Sequence, residues 1–180
     1  MQLNGIFIIA ELGGEAGKQI RAINEWFDPR LARYKAPHVT ITGSSGVGPI
    51  PASVTAVELW EKLAPITSST EPMALRFGPP MRFMQTEILV LPLDPHGPLR
   101  AFHDRLANCG LPFARARFTF SPHCTLSLYP TLTQEATREL LTLRVHVPAV
   151  IDRIHVFQAL DPQPARKLLE LPLTGGSETA

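Results

Sequence analysis

The chain has 180 residues and a formal net charge of +1, with 44% hydrophobic and 18% charged residues. That supports one globular domain, or two small lobes sharing a core, and excludes general disorder. Near-neutrality also excludes a protein that wraps a long nucleic acid, a DNA duplex included, so any RNA or nucleotide contact is confined to one site. The first apolar run, Ile6 to Ala10, falls far short of the roughly 20 residues that span a bilayer, and no membrane segment is expected. The opening Met-Gln-Leu-Asn-Gly lacks the basic and long apolar regions of a secretory signal, and Cys109 and Cys124 build neither a CxxC nor a disulfide framework. The expectation is a cytoplasmic monomer with reduced thiols.

Proline, at 18 residues, cuts the chain into short segments whose apolar period can be read separately. Gly5 to Leu12 (GIFIIAEL) reads as a buried strand, and Ile20, Ile23 and Phe27 then recur on one helical face. After Pro37 comes a short strand, His38 to Thr42. A helix follows Pro51, with Val57, Trp60, Leu63 and Ala64 on one side, and then a strand at Met73 to Phe77. Gly78 to Gln85 reads as a glycine-proline-rich connection.

The order then repeats. Glu87 to Leu93 reads as a strand, Leu99, Phe102, Leu106 and Cys109 step along a helix, and His123 to Leu128 forms a second strand after Pro122. Thr133 is placed to cap a helix whose first turn holds Glu135 and whose inner face holds Ala136, Leu140 and Leu143. Ala149 to Leu160 and Leu168 to Leu173 have strand character, and the tail from Gly175 to Ala180 reads as disordered. Residues 1 to 80 and 86 to 160 thus read as an internal duplication, which suits a two-lobed, pseudo-symmetric α+β domain.

One pattern occupies the same place in each half: Pro37-His38-Val39-Thr40-Ile41 and Pro122-His123-Cys124-Thr125-Leu126. Two such sites among six histidines arise by chance with odds on the order of one in a thousand. Strand alternation puts His38 and Thr40 on one face and Val39 and Ile41 on the other, and likewise for His123 and Thr125 against Cys124 and Leu126. Two imidazoles and two hydroxyls around one point suit phosphodiester chemistry. With an ordinary pKa of roughly 6.5, one imidazole takes a proton from water while the other gives one to the leaving oxygen. The threonine hydroxyls donate to the non-bridging phosphoryl oxygens.

Two other readings of the motifs remain open: ordinary strand histidines beside threonines chosen for β-propensity, or a shared zinc site. Zinc is disfavoured because two histidines supply too few ligands, and no Cys or carboxylate stands at ligand spacing. No metal and no cofactor is expected. His96, His103, His146 and His155 lack the Pro and Thr context and read as structural or surface groups. Cys124 reads as a buried thiol turned away from the motif face.

Around the motifs lie further candidates. Arg30, Arg33 and Lys35 precede the first, reading as loop or edge-strand charges, and Arg115 and Arg117 precede the second and could draw a nucleotide phosphate to the cleft rim. Phe83 and Tyr129 could stack on a base, with core packing the competing role. Gly43 to Gly48 (GSSGVG) lacks the ending of a phosphate-cradling loop and reads as a mobile loop bordering the cleft.

The paired H-x-T motifs, each preceded by Pro and followed by an apolar residue in a duplicated chain, resemble the 2H phosphoesterase superfamily, which includes the RNA 2',3'-cyclic phosphodiesterases also called 2'-5' RNA ligases. The resemblance implies a bilobal α+β fold with two antiparallel sheets facing a central cleft and helices packed outside. It also implies metal-free hydrolysis of a phosphodiester, with His38 as proton donor, His123 as acceptor, and Thr40 and Thr125 holding the phosphate. The implied partner is a small nucleotide or RNA end bearing a cyclic phosphate, opened to the 2'-phosphate, with ligation as the reverse. A non-RNA cyclic phosphate such as ADP-ribose 1'',2''-cyclic phosphate and a non-catalytic binding module are the alternatives. The run Leu126-Ser127-Leu128-Tyr129 lacks the Arg that several RNA-processing members carry there, so that branch's substrate contacts do not transfer.

Overall fold

The computed structural model describes residues 4–159 and 165–176. In chain order the elements are β1 (Gly5–Glu11), α1 (Gly14–Phe27), α2 (Pro29–Tyr34), β2 (His38–Thr42), α3 (Ala56–Ser68), β3 (Met73–Leu75) and β4 (Met81–Arg82). There follow β5 (Leu89–Pro92), α4 (Gly97–Ala107), β6 (His123–Ser127), α5 (Gln134–Thr142), β7 (Ala149–Ile151), β8 (Arg153–Ala159) and β9 (Arg166–Pro172). The α+β class holds, with one sheet ordered β4-β5-β6-β2-β1-β8-β9 and a second made of β3 and β7. Every strand pairing is antiparallel. The strands of both halves share the large sheet, which therefore carries both motifs.

The two halves show the same register. In the first half Glu11 faces His38, Ala10 faces Val39, Ile9 faces Thr40 and, past a bulge, Ile8 faces Thr42. In the second half Pro92 faces His123, Leu91 faces Cys124, Val90 faces Thr125 and, past the same bulge, Leu89 faces Ser127. The halves meet at Val39 opposite Cys124 in the large sheet and at Ala74 opposite Val150 in the small one, so a pseudo-two-fold axis relates them. By this symmetry β4, paired outside β5, is the counterpart of β8, paired outside β1. Among the described residues, β9 has no counterpart.

Alternation decides which face is covered. Val39, Ile41, Cys124 and Leu126 are fully buried, and α1 and α4 pack across the halves on that side, α1 against β6 and α4 against β2. The intervening His38, Thr40, His123 and Thr125 are only half-buried, on the opposite face. Ile20 of α1 and Leu99, Phe102 and Leu106 of α4 complete this core. Each such side chain contributes about 1.5–3 kcal/mol, and truncating Phe102 to Ala costs about 3–5 kcal/mol. Gly17 is required where α1 meets the end of β1, since a Cβ there would lie 2.1 Å from the Leu12 carbonyl oxygen.

Several local expectations are corrected. Val57 and Trp60 of α3 are 66% and 54% exposed; the buried stripe is Leu59, Leu63 and Thr67. The helix carries two apolar faces of the same spacing, and its packing against β9 and α4 selects between them. Ala149 to Leu160 is two strands rather than one: β7 pairs β3, then β8 after Asp152 joins β1, and Leu160 lies outside the described residues. Gly78 to Gln85 contains β4 and one arm of a hairpin, and Cys109 lies past the end of α4. Arg30 and Arg33 belong to α2, which the Asp28 side chain caps, rather than to a loop or edge strand. At the tail, the Gly175 N–H donates to the Thr70 carbonyl at 2.9 Å, anchoring that glycine, whereas 177–180 lie outside the described residues.

Candidate active site

The β2–β6 register arranges the motif residues diagonally. With Val39 opposite Cys124, antiparallel counting sets His38 across from Thr125 and Thr40 across from His123. The two histidines are then diagonal neighbours, about 7–8 Å apart at the backbone. That leaves room for a phosphoryl group between rings that project from the same face.

Each ring is oriented by its own chain. The His38 Nδ1–H donates to the Ala36 carbonyl at 2.8 Å, and the His123 Nδ1–H donates to the Ser121 carbonyl at 2.7 Å. A carbonyl only accepts, so the proton sits on Nδ1 in both neutral rings and each Nε2 keeps its lone pair for another group. Burial holds both imidazoles below the ordinary histidine value. For His38 the Ala36 bond and the Glu11 carboxylate pull the other way, while Lys35 and His123 add to the depression. For His123 only the Ser121 carbonyl opposes burial. Among the described residues, neither the Thr40 nor the Thr125 hydroxyl has a hydrogen-bond partner within the protein. Cys124, fully buried, has its thiol pushed up to about 12 by desolvation, so it offers no nucleophile.

The wider surroundings are unequal. The Phe83 ring lies 4.4 Å from the His123 ring, centroid to centroid, and meets Phe118 edge-on at 6.4 Å. Arg117 places its guanidinium 5.3 Å from the Phe118 ring. Arg115, Arg117 and Phe118, with Gly46, Val47 and Thr119, line an open groove of about 520 Å³. Phe118 thus links this groove to Phe83 and through it to His123, while no motif residue lines the groove itself. Tyr129 is engaged elsewhere: the Arg30 guanidinium sits 4.1 Å from its ring centroid, and it borders a crevice of about 40 Å³ with Glu87, Pro130, Leu132 and Thr137.

The non-motif histidines stand apart from this pair. His103 is buried, with Nδ1 3.0 Å from Asp104 Oδ1, and stacks on Phe120. His155, also buried, lies between Glu11 and Glu170, with burial holding its pKa down against both carboxylates. His96 precedes the first turn of α4 and His146 is exposed.

Residues overlooked in the sequence hold the site from behind. Asn24, on the buried face of α1, donates from Nδ2 to the carbonyls of Thr125 and Leu126 at 3.2 and 2.8 Å, where the bulge frees them. Asp28 accepts from Leu31 N–H at 3.0 Å while its other oxygen accepts from Leu128 N–H at 2.7 Å and Tyr129 N–H at 3.0 Å. One buried carboxylate thus caps α2 and fixes the exit of β6. The available signals were a polar residue inside an apolar helical stripe for Asn24 and an Asp-Pro helix start for Asp28. Glu11, the lone carboxylate of β1, faces His38.

A model of the 2'-5' RNA ligase superfamily matches residues 13–162, and the chain belongs to that superfamily, the 2H phosphoesterases. Among solved structures, LigT of E. coli complexed with 3'-AMP is 16% identical with a TM-score of 0.59, covering 95% of this chain and 98% of that one. TT0787 of Thermus thermophilus is 12% identical at a TM-score of 0.61 over the same shares. Usb1 of Kluyveromyces marxianus is 13% identical at 0.51, covering 93% and 97%. At these identities the likeness is one of fold. LigT has also been solved with phosphate, NADP+ and ATP. No curated protein matches the sequence. Among the described residues, no helix is long and apolar enough to cross a membrane.

Proposed function

We propose that this protein is a metal-independent phosphodiesterase that opens 2',3'-cyclic phosphates on RNA ends or small nucleotides, leaving the 2'-phosphate. The observation that carries the reading is the pairing of β2 with β6, which sets both H-x-T faces side by side with Nε2 of each ring uncommitted. Water attacks phosphorus as His123 Nε2 takes its proton. The bond to the 3'-oxygen breaks as His38, protonated at Nε2, gives that oxygen its proton. The hydroxyls of Thr40 and Thr125 donate to the two non-bridging oxygens and steady the added negative charge.

The assignment of donor and acceptor is supported by the neighbours: Glu11 faces His38 and favours its cation, whereas Phe83 covers His123 and no carboxylate faces it across β5. Arg115 and Arg117, on the groove beside Phe118, supply cationic contacts for the nucleotide's remaining phosphates. Nucleotide ligands are in keeping with the 3'-AMP, NADP+ and ATP complexes of LigT. A reducing, cytoplasmic setting fits two cysteines that stay free thiols.

The test is an EDTA-treated assay of the wild type and His38→Ala on 2',3'-cyclic AMP and on an RNA oligonucleotide with a 2',3'-cyclic end, with the product isomer identified by chromatography. Metal-independent opening to the 2'-phosphate, lost in the variant, is the expected result. Turnover restored only by added zinc or manganese would overturn the mechanism. Binding without turnover would move the reading to a binding module, and turnover confined to ADP-ribose 1'',2''-cyclic phosphate would move the substrate.

A further inference from the structure

The loop Gly43 to Gly48, which reads as mobile in the sequence, leaves the first motif strand and is pinned to the segment that leads into the second motif. The Gly46 N–H donates to the Phe118 carbonyl at 2.9 Å, the Gly48 N–H to Ala114 at 2.7 Å, and the Ala114 N–H returns to Pro49 at 3.0 Å. Gly46 has φ +75°, and a Cβ on it would come 2.2 Å from His103 Nε2, so this path needs glycine. His103 in turn stacks on Phe120 at 4.1 Å, and both are buried. The floor beneath the loop is therefore rigid.

On that floor Ser45 is 4% exposed, and its Oγ accepts from the Ser121 N–H at 3.0 Å. Ser121 is the residue whose carbonyl holds His123 Nδ1–H. A hydroxyl from the first half thus fixes the peptide unit next to the carbonyl that orients the second half's imidazole. The first half has no equivalent: Ala36, whose carbonyl holds His38, is exposed, and among the described residues nothing ties its N–H. We propose that Ser45 is a positioning residue for His123, holding Ser121 so that the ring stays in the Nδ1–H tautomer with Nε2 turned to the cleft. Its catalytic consequence rests on the phosphodiesterase reading above, but its structural consequence does not.

The experiment uses the full chain and reads both. Nitrogen-15 correlation spectra of the imidazoles in Ser45→Ala should show His123 as a mixture of tautomers, where the wild type shows Nδ1–H alone, with His38 unchanged. On a cyclic-phosphate substrate kcat should fall roughly tenfold, the scale of a slightly misplaced catalytic group, with KM within about twofold. Ser45→Thr, which keeps the hydroxyl, should restore both readouts, and Ser44→Ala, altering the exposed neighbour, should change neither. A folded Ser45→Ala protein with wild-type His123 tautomer and kcat overturns the proposal, as does an equal loss in Ser44→Ala. Should the alanine variant fold poorly, Ser45→Cys, a weaker acceptor of the same branching and slightly larger volume, is expected to give an intermediate tautomer mixture, and a wild-type one would count against the proposal. If no cyclic phosphate is opened by the wild type while the tautomer still responds to Ser45, the positioning stands and the substrate reading falls.

Discussion

The two halves share a register, a bulge and the hydrogen bond that sets each imidazole tautomer, yet the groups beside the two rings are different. Glu11 faces His38 where Pro92 faces His123. Phe83 covers His123, whereas its symmetry mate Phe157 pairs with Phe7 and lies under Lys167. Ser121, whose carbonyl orients His123, is tied through its N–H to Ser45 of the other half, and Ala36, whose carbonyl orients His38, has no such tie among the described residues. The two halves supply two like groups on one face; under the proposed mechanism Glu11 favours the cation at His38, whereas no carboxylate faces His123 across β5. On that reading, the symmetry supplies the two rings and the unlike neighbours give the proton transfer its direction.

The sharpest way to break this comparison is to remove each ring. His38→Ala and His123→Ala should each lower kcat by about 10²-fold or more with the fold intact, as loss of a general acid or base does; near-wild-type turnover in either would end the two-histidine account. Next comes Asp28→Ala, which strands the amides of Leu128 and Tyr129 behind the second motif and should cost about 3 kcal/mol in urea denaturation.

The pH dependence separates the halves. Both free rings lie below 6.5, so kcat/KM, which needs one ring neutral and one charged, should peak below that pH. Glu11→Gln should shift the NMR titration of His38 further down and leave His123 in place, and equal movement of both would erase the proposed asymmetry. Stability follows with a definite sign. Because the folded rings titrate below the unfolded value of 6.5, their contribution is complete above that pH. It is lost as pH falls from there through the folded pKa values, since the unfolded chain takes up protons that the folded one refuses. Melting temperatures should drop over this interval, less so in His123→Ala. The smallest effects belong to the helix caps: Thr55→Ala should cost about 1 kcal/mol, and Thr133→Ala less, because only α3 has the reciprocal bond from Glu58.

Much of this was legible in the sequence where period and punctuation coincide. The motif strands, the α1 stripe, the α4 stripe as far as Leu106 and the Thr133 cap appear as read, because alternation and helical spacing are local properties. What was not legible depends on partners distant in sequence. The outward turn of Trp60 was set by what packs on α3, and the split of the run 149–160 by β3 and β1 competing for its two parts. At the site, His38, Thr40, His123 and Thr125 announce themselves by repetition. Ser45, Asn24 and Asp28 occur once each and act on backbone of the other half, which no spacing rule reveals.

The strand order has a consequence for how the chain is made. β1 lies between β2 and β8, with Gly5 opposite Ala159, so β1 is synthesised long before the strand that pairs along its outer edge. Until then its edge is an unpaired row of amides and carbonyls on an apolar ladder, the kind of surface that holdase chaperones recognise. A nascent fragment stopped at the β4–β5 hairpin would contain β1 and β2 and still lack β8, the strand that pairs outside β1. Expressed alone, it should stay unfolded or aggregate, and it should become soluble when the remainder of the chain is supplied in trans.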